Sequence, residues 1–195
     1  MANSKKQIMD AAITLFLQKT YREVSIQEIT DAVGVTKGAF YYFFKSKEEL
    51  FFQIVDQFSL INKIDFDSMN SNSLFDFFHQ YLDALTSKNS FLNTSKNQDD
   101  INHYFLTFDA LKIMPDFRKK MWANEEKEMN TWIRVIKNAK KNGEIKSQMA
   151  DRHIAEIFNY TIDGIGMRKI MQNKKYEIGN TIKQLWEEFY ELLKE

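Results

Sequence analysis

Apolar residues recur along most of the chain at intervals of three and four positions, which is the spacing of one face of an α-helix. The pattern is clear near the start, from Ile8 to Phe16, and near the end, from Ile178 to Leu193. Proline occurs once and glycine six times in 195 residues, so few residues interrupt a helix. With 44% apolar residues, the sequence predicts an all-α protein of about nine helices.

Polar segments and capping residues divide the chain into these helices. The first helix is predicted to end near Lys19, and a long one is predicted from Lys47 to about Asn62. Residues 65–73 and 87–100 are polar and are predicted to be a linker and a loop. The remaining helices are predicted over residues 73–86, 99–113, 115–142, 151–171 and 176–194.

The stretch from Val24 to Leu50 has the outline of a helix, a tight turn and a second helix. Ser25 and Glu28 have the spacing of a capping box, in which each side chain caps a backbone N–H of the other. Gly34 follows this helix where a helix end needs a positive φ, and Thr36 is placed to cap the next helix. The outline is that of a helix-turn-helix, which places its second helix in the DNA major groove.

The alternative interpretation of this stretch is an ordinary helical hairpin within a bundle. Three lysines, Lys37, Lys45 and Lys47, and two tyrosines, Tyr41 and Tyr42, crowd the second helix and its exit. A buried core helix rarely carries so many polar groups. We therefore favour the DNA-binding interpretation.

Helix-turn-helix geometry assigns roles to individual residues of this stretch. The N-terminal residues of the second helix approach base edges, and the flanking residues hold phosphates. Phe40 and Phe44 are expected in the core, because the short helix needs an inward face. The base candidates are Lys37, Gly38, Ala39 and Tyr41, and the phosphate candidates are Ser25, Thr36, Tyr42 and Lys47.

Composition narrows the possible function classes. The 27 basic and 27 acidic residues give zero formal charge, which argues against a strongly basic nucleic-acid coat protein. The absence of cysteine excludes disulfides and thiolate metal sites. The N-terminus lacks a signal-peptide core, and no apolar run approaches the roughly 18 residues of a membrane span. We expect a cytoplasmic protein without a membrane partner.

The stretch from Val24 to Leu50 resembles the DNA-binding segment of the TetR family of bacterial regulators. By family position, Gln27 is a further candidate for a base contact. One position departs from the family pattern: a histidine or another hydrogen-bonding group is common where this chain has Phe43, whose ring cannot hydrogen-bond a phosphate. The shared positions are Ile29, Ala32-Val33-Gly34-Val35, Lys37-Gly38, Phe40-Tyr41, Phe44-Lys45-Ser46-Lys47-Glu48 and Leu50.

The resemblance implies a three-helix DNA-binding head followed by a helical body that binds ligand and dimerises. We expect the head at residues 1–47, a connecting helix at 48–64 and the body at 65–195. The last two long helices are implied to pair with those of a second copy as a four-helix bundle, although part of each apolar stripe must be core of its own chain. The expected interface residues are Ile154, Phe158, Ile162, Ile165, Ile182, Trp186 and Phe189.

The resemblance also implies a body cavity for a small, mostly apolar effector that weakens DNA binding. An aromatic cavity that includes Asp109 or Asp163 would suit an aromatic cation, whereas one without them would suit a fatty or steroid-like molecule. The sequence leaves both possibilities open. The candidate lining residues are Phe78, Tyr81, His103, Tyr104, Phe108, Asp109, Trp132, Asn159, Tyr160 and Asp163.

We therefore expect a ligand-responsive, sequence-specific transcriptional regulator that acts as a homodimer. Release of a palindromic operator by the effector would make it a repressor, and an activator would use the same fold. An enzyme is the first alternative, but His79, His103 and His153 lack HExxH spacing, and no phosphate-binding glycine pattern is present. No catalytic residue, metal or cofactor is predicted. The second alternative is a helical adaptor that has lost DNA binding, which only Phe43 favours.

Overall fold

A computed structural model describes the backbone of residues 2–61, 64–86, 99–172 and 178–195. Side chains are described for these residues except at 2–3, 57–61, 99–105, 169–170, 172 and 178. Nine α-helices and one short 3-10 helix, with no strand, make up the regular structure of this part of the chain. They are α1 (Ala2–Phe16), α2 (Ile26–Val33), α3 (Lys37–Phe43), α4 (Lys47–Ile61), the 3-10 helix (Phe66–Ser68), α5 (Leu74–Thr86), α6 (Asp99–Ile113), α7 (Phe117–Lys141), α8 (Asp151–Gln172) and α9 (Ile178–Lys194).

The predicted all-α fold is confirmed, with small differences at the helix ends. Helix α7 begins at Phe117, so Pro115 lies in the preceding turn and not in the first helical position. The predicted linker at 65–73 contains the 3-10 helix, whose Phe66 packs into the core. Most of the predicted loop at 87–100, and Tyr176 at the expected start of the last helix, lie outside the described residues.

The chain forms two compact units. The N-terminal unit contains Met1–Lys63 and Gln98–Arg118, and the C-terminal unit contains Ile64–Asn97 and Lys119–Glu195. Helix α6 therefore belongs to the N-terminal unit, and the boundary between the units falls inside α7. The division expected from sequence, with the body starting at residue 65, stays a prediction.

The N-terminal unit is built around the inner faces of α1 to α4. Ile8, Ile29, Phe40, Phe44 and Ile54 are fully buried there, so the expected core positions of Phe40 and Phe44 are confirmed. Burying a side chain of this size contributes about 2 kcal/mol. This core holds the short α2 and α3, which have too few residues to be stable alone.

The core of the C-terminal unit is aromatic. Trp132 of α7 stacks on Phe158 of α8 with 5.0 Å between ring centroids, and Trp186 of α9 meets Phe158 edge-on at 5.2 Å. Phe78 and Tyr81 of α5 complete this cluster. The four helices α5, α7, α8 and α9 are thus joined by interlocking rings, which fix their mutual packing.

Several residues of the predicted dimer interface are instead buried in this aromatic core. Ile154, Phe158, Ile182 and Trp186 are buried within their own chain and have no surface left for a partner. Ile162, Ile165 and Phe189 are partly buried against this core. The apolar side chains that α8 and α9 leave exposed are Ile157, Tyr160, Met167, Met171, Leu185 and Leu192. Among the described helices, none is long and apolar enough to cross a membrane.

Candidate nucleic-acid interface and ligand cavity

The α2–α3 pair has the caps that its sequence predicts. The Ser25 hydroxyl accepts a hydrogen bond from the Glu28 N–H at 3.1 Å, and the Glu28 carboxylate accepts one from the Ser25 N–H at 2.8 Å. Gly34 has φ 73° and ψ 32°, the left-handed conformation that ends α2, and its N–H donates to Asp31 and Thr30. Thr36 then caps α3 by accepting from the Ala39 N–H at 3.2 Å. The predicted turn and both caps are confirmed.

Helix α3 presents its predicted base-reading residues to solvent. Lys37 and Gly38 are exposed, Ala39 is half-buried, and Tyr41 and Tyr42 are 54% and 72% exposed. The opposite face is anchored by the buried Phe40. The helix therefore offers a small, polar and aromatic surface that it does not use for its own folding.

Gly38 is not required by the fold. A Cβ built at this position would meet only the Thr36 hydroxyl, at 3.6 Å, which is an ordinary contact distance. Its backbone conformation is helical and does not require glycine. The missing side chain thus leaves space on the outer side of α3, where another molecule can approach the backbone.

The candidates on α2 are partly engaged in local bonds. The Ser25 N–H and hydroxyl both donate to Glu28, so neither group is free for a phosphate in this structure. Gln27 is exposed, and its amide donates to Asp31 at 2.6 Å. Phe43 is half-buried and meets the Tyr42 ring edge-on at 4.9 Å, so it supports the outer tyrosine.

Lys47 has a different place from the one expected of a phosphate contact. Its ammonium group donates to the backbone carbonyls of Tyr21 at 2.7 Å and Val24 at 2.6 Å, and it lies 4.2 Å from the centroid of the Tyr21 ring. Partial burial lowers the pKa of the Lys47 ammonium. Lys47 therefore ties the start of α4 to the link between α1 and α2, and positions α2 indirectly.

Asp109, a candidate for the ligand cavity, supports the same link. Its carboxylate accepts a hydrogen bond from the Tyr21 N–H at 2.7 Å. Because Asp109 lies on α6, it belongs to the N-terminal unit, as does the neighbouring Phe108, which is exposed. Neither residue is among those that line the cavity described below.

The C-terminal unit contains a cavity of about 550 Å³ between α5, α7 and α8. Four candidates line it: Tyr81, Asn159, Tyr160 and Asp163. Phe78 and Trp132 are instead buried in the core, and the side chains of His103 and Tyr104 lie outside the described residues. The full lining consists of Tyr81, Leu85, Trp122, Glu125, Glu126, Glu128, Met129, Asn130, Arg152, Asn159, Tyr160, Ile162 and Asp163.

The carboxylates of this cavity are in an unfavourable environment. Burial raises the pKa of Glu128 and outweighs the hydrogen bond that the Tyr81 hydroxyl donates to it, and the nearby charges of Asp163 and Glu125 raise it further. Burial and the charge of Asp163 raise the pKa of Glu125, and burial raises that of Asp163. Burial also raises the pKa of Tyr81. The three carboxylates therefore hold negative charge at a free-energy cost, whereas the Tyr81 hydroxyl stays neutral.

Sequence reasoning named Trp132 of α7 as a lining residue but missed the face of α7 that does line the cavity. Trp122, Glu125 and Met129 follow one another at intervals of three and four, and Glu128 adjoins them, so they share one face of the helix. A charged helix face of this kind is usually solvated, which hides its role. The available signal was the presence of a tryptophan and a methionine on an otherwise acidic face.

The capped helix pair with its exposed second helix defines a DNA-binding protein of the helix-turn-helix class. The sequence profile of the bacterial regulatory proteins of the tetR family matches residues 8–54, from within α1 to within α4. This segment is the DNA-binding segment of the TetR family of transcriptional regulators, and the resemblance inferred from sequence is confirmed.

Two relatives illustrate the match. The transcriptional repressor KstR2 of Rhodococcus jostii (strain RHA1) is 27% identical over 161 residues, which cover 74% of this chain and 69% of KstR2. IcaR, the negative transcriptional regulator of the biofilm operon icaADBC in Staphylococcus aureus (strain Newman), is 36% identical over 80 residues, 40% of this chain and 43% of IcaR. These relatives are regulators and not enzymes, so the enzymatic alternative is set aside.

Solved structures share the fold over nearly the whole chain. A transcriptional regulator of Saccharomonospora viridis, crystallised with choline, matches 98% of this chain and 97% of its own with a TM-score of 0.68 and 16% identity. NalD, the secondary repressor of the MexAB-OprM multidrug efflux pump in Pseudomonas aeruginosa, matches 97% and 95% with a TM-score of 0.65 and 16% identity. At these identities the likeness shows the fold alone.

Proposed function

We propose that this DNA-binding regulator acts as a homodimer on a palindromic operator and is released from it by a small-molecule effector. The observation that carries the proposal is the outer surface of α3, where Lys37, Gly38 and Tyr41 are exposed on a helix anchored by Phe40. Gly38 supports the proposal further, because the fold has room for a Cβ at this position and the missing side chain leaves the outer face of α3 open to a partner.

Each exposed residue of the helix pair has a role in DNA recognition. The ammonium group of Lys37 suits guanine O6 or N7, the Ala39 methyl group suits a thymine methyl, and Gly38 lets the helix backbone approach the bases. Tyr41 and Gln27 are further base contacts, and the Thr36 and Tyr42 hydroxyls donate to phosphates. Ser25 holds the N-terminus of α2 towards the DNA, and Lys47 positions this assembly through the α1–α2 link.

The need for sequence specificity is the reason to propose a dimer. A single small module contacts too few base pairs for useful specificity, whereas two heads related by a two-fold axis read a palindrome. The exposed apolar residues of α8 and α9, including Ile157, Leu185 and Leu192, supply a surface for the second copy, with Ile162, Ile165 and Phe189 behind it.

The effector acts by a shift between two populations of the dimer. The cavity of about 550 Å³ in the C-terminal unit accommodates a small molecule. A molecule bound there favours a separation of the two heads that no longer matches half-sites about one DNA turn apart. Because the coupling is reciprocal, the operator weakens effector binding by the same factor. Repression is the expected outcome, because the relatives KstR2 and IcaR are a repressor and a negative regulator.

Selection of bound fragments from the source genome, at moderate salt and with competitor DNA, tests DNA recognition. We expect one palindromic site to be enriched. Lys37→Ala and Tyr41→Ala should each weaken binding to it by about tenfold to a hundredfold, and Gly38→Ala should do so through a steric clash. Thermal unfolding should be nearly unchanged in all three. Lys146→Ala, an exposed lysine of the C-terminal unit, is the matched control.

The opposite result would support the helical adaptor. In that case the wild-type protein would bind DNA without sequence preference or not at all, and the α3 variants would change nothing. The selection is therefore repeated after unfolding, dialysis and refolding, which removes any bound effector. Failure after this step contradicts the proposal.

A further inference from the structure

The cavity of the C-terminal unit combines aromatic walls with acidic groups. Tyr81 of α5 is buried at its inner end, and Trp122 of α7 and Tyr160 of α8 are 62% and 60% exposed at its opening. Aromatic ring faces attract cations because their quadrupole is negative at the face. Neutral apolar ligands use the same rings, so the charged groups of the lining must decide between the two classes of ligand.

The charged lining is mostly negative. Four carboxylates, those of Glu125, Glu126, Glu128 and Asp163, face one guanidinium, that of Arg152. Arg152 is already paired, since its Nε lies 2.9 Å from the Glu156 carboxylate. Within the described part of the chain, no lysine or arginine forms an ion pair with Glu125, Glu128 or Asp163.

These carboxylates repel one another in the free protein. The charge of Asp163 raises the pKa of both Glu125 and Glu128, in addition to the effect of burial. A cation that enters the cavity would relieve this repulsion and recover the cost of holding the charges there. A fatty-acid anion would add to the repulsion. The lining therefore distinguishes the two effector classes that the sequence leaves open.

A bare metal ion does not fit the same groups. In the described residues, no set of three or more histidine, aspartate or glutamate side chains is arranged to hold a metal ion. The cavity is also far larger than a single ion needs, and much of its lining is aromatic or apolar: Tyr81, Leu85, Trp122, Met129, Tyr160 and Ile162. These features require a ligand with an organic body.

We propose that the effector is an organic cation, whose positive charge is held by Glu128 and Asp163 and whose aromatic or alkyl body packs against Tyr81, Trp122 and Tyr160. This inference rests on the proposed effector-responsive function and specifies the chemistry of its ligand. Glu125 adds long-range attraction at the opening. Arg152, kept in place by Glu156, disfavours approach of the charged group from its own side of the cavity.

Two probe ions of the same shape and opposite charge test this inference on the full-length chain. Tetraphenylphosphonium and tetraphenylborate are titrated separately into the protein in a sodium buffer, and binding is measured by calorimetry. We expect the phosphonium ion to bind with one-to-one stoichiometry per chain and the borate to bind at least about tenfold more weakly, because only its charge differs. Equal affinity for the two ions would overturn the inference.

Charge-neutralising variants locate the binding. Glu128→Gln and Asp163→Asn keep the shape of the side chains and should each weaken phosphonium binding by about tenfold. Glu188→Gln, which removes an exposed carboxylate of α9 outside the cavity lining, should leave binding unchanged. If all three variants bind like the wild type, the phosphonium ion is bound elsewhere and the inference is wrong.

A DNA-binding measurement separates the failure of this inference from the failure of the proposed function. Phosphonium binding that leaves the affinity for the selected DNA fragment unchanged supports the cation site and contradicts the effector response. Release of the DNA by tetraphenylborate but not by tetraphenylphosphonium overturns the cation assignment and keeps the effector response. Release by the phosphonium alone, lost in Glu128→Gln, supports both.

Discussion

In the N-terminal unit, the carboxylate of Glu28 accepts hydrogen bonds from the Lys19 ammonium at 2.6 Å and the Ser25 N–H at 2.8 Å. These partners lower its pKa to about 2. In the cavity of the C-terminal unit, the carboxylate of Glu128 has a single hydroxyl donor and two acidic neighbours, and its pKa is raised. The same chemical group is thus stabilised in its charged form in one region and destabilised in the other.

This difference separates groups that fix a structure from groups that await a ligand. Glu28, Lys47 and Asp109 each have partners within the N-terminal unit, so their charges define the geometry of the helix-turn-helix. Among the described residues, Glu125, Glu128 and Asp163 have no lysine or arginine partner, and Glu128 has only the Tyr81 hydroxyl, so their charge is available to an incoming molecule. Glu144 shows that the C-terminal unit also contains a fully partnered carboxylate: it accepts from Ser73, Leu74, Phe75 and Tyr190.

The largest change in the free energy of unfolding is expected when Glu144, this partnered carboxylate, is replaced. Glu144→Ala removes the acceptor for the first N–H groups of α5 and for the Tyr190 hydroxyl, so we expect the free energy of unfolding to fall by about 3 kcal/mol. Chemical denaturation measures the loss. The control is Glu191→Ala, whose exposed carboxylate pairs only with Lys194 on the surface and should cost less than about 0.5 kcal/mol. Similar losses in both variants would contradict the comparison.

An intermediate effect is expected for Lys47→Met in the N-terminal unit. The carbonyls of Tyr21 and Val24 lose their charged donor, which should lower the free energy of unfolding by about 2 kcal/mol. Lys45→Met, which removes an exposed lysine, should have little effect. Because Lys47 is assigned to positioning and not to phosphate binding, the salt dependence of DNA binding should keep its slope. A slope reduced by about one would instead place Lys47 on a phosphate.

The smallest expected change in the free energy of unfolding is an increase, whereas the two changes above are decreases. Glu128→Gln keeps an acceptor for the Tyr81 hydroxyl and removes a costly charge, so at neutral pH it should raise the free energy of unfolding by about 1 kcal/mol. Because the folded pKa of Glu128 lies above the ordinary value of 4.5, its stabilising contribution is present below that value and is lost as the pH rises through the folded pKa. The difference between variant and wild type should therefore grow with pH above about 4.5.

Glu188→Gln is again the control for this measurement, since its carboxylate lies outside the cavity lining. A destabilised Glu128→Gln variant, or a difference that does not depend on pH, would show that the cavity carboxylates are already compensated. The contrast between the two regions would then be lost.

The sequence predicts the helix-turn-helix well because its determinants are local. The capping box of Ser25 and Glu28 lies within four consecutive residues, and the single residue Gly34 supplies the left-handed conformation that ends α2. The bonds of Lys47 to Tyr21 and Val24 could not be predicted, because these partners lie 26 and 23 positions away and such contacts leave no periodic signal. The apolar stripes of α8 and α9 have the right period but do not tell which side chains face the chain's own core. Ile154 and Trp186 turned out to be buried there.

The cavity was only partly predictable for a related reason. Tyr160 and Asp163 were found on α8, but the acidic face of α7 gives the same pattern whether it faces water or a cavity. Asp109 was placed in the cavity by its position in the body, whereas it caps the Tyr21 N–H in the N-terminal unit. Side-chain type indicated the chemistry of the site, and only the packing of the helices showed which residues share it.

The three tryptophans of the chain differ in a way that has a practical consequence. Trp132 and Trp186 are buried in the aromatic core, whereas Trp122 is largely exposed at the opening of the cavity. Emission at the long-wavelength edge of the fluorescence spectrum should therefore come mainly from Trp122, because its indole is in contact with water, and an external quencher should act mainly on this emission. A molecule that enters the cavity would shield this one ring. The protein thus carries an intrinsic fluorescent reporter of cavity occupancy that needs no added label.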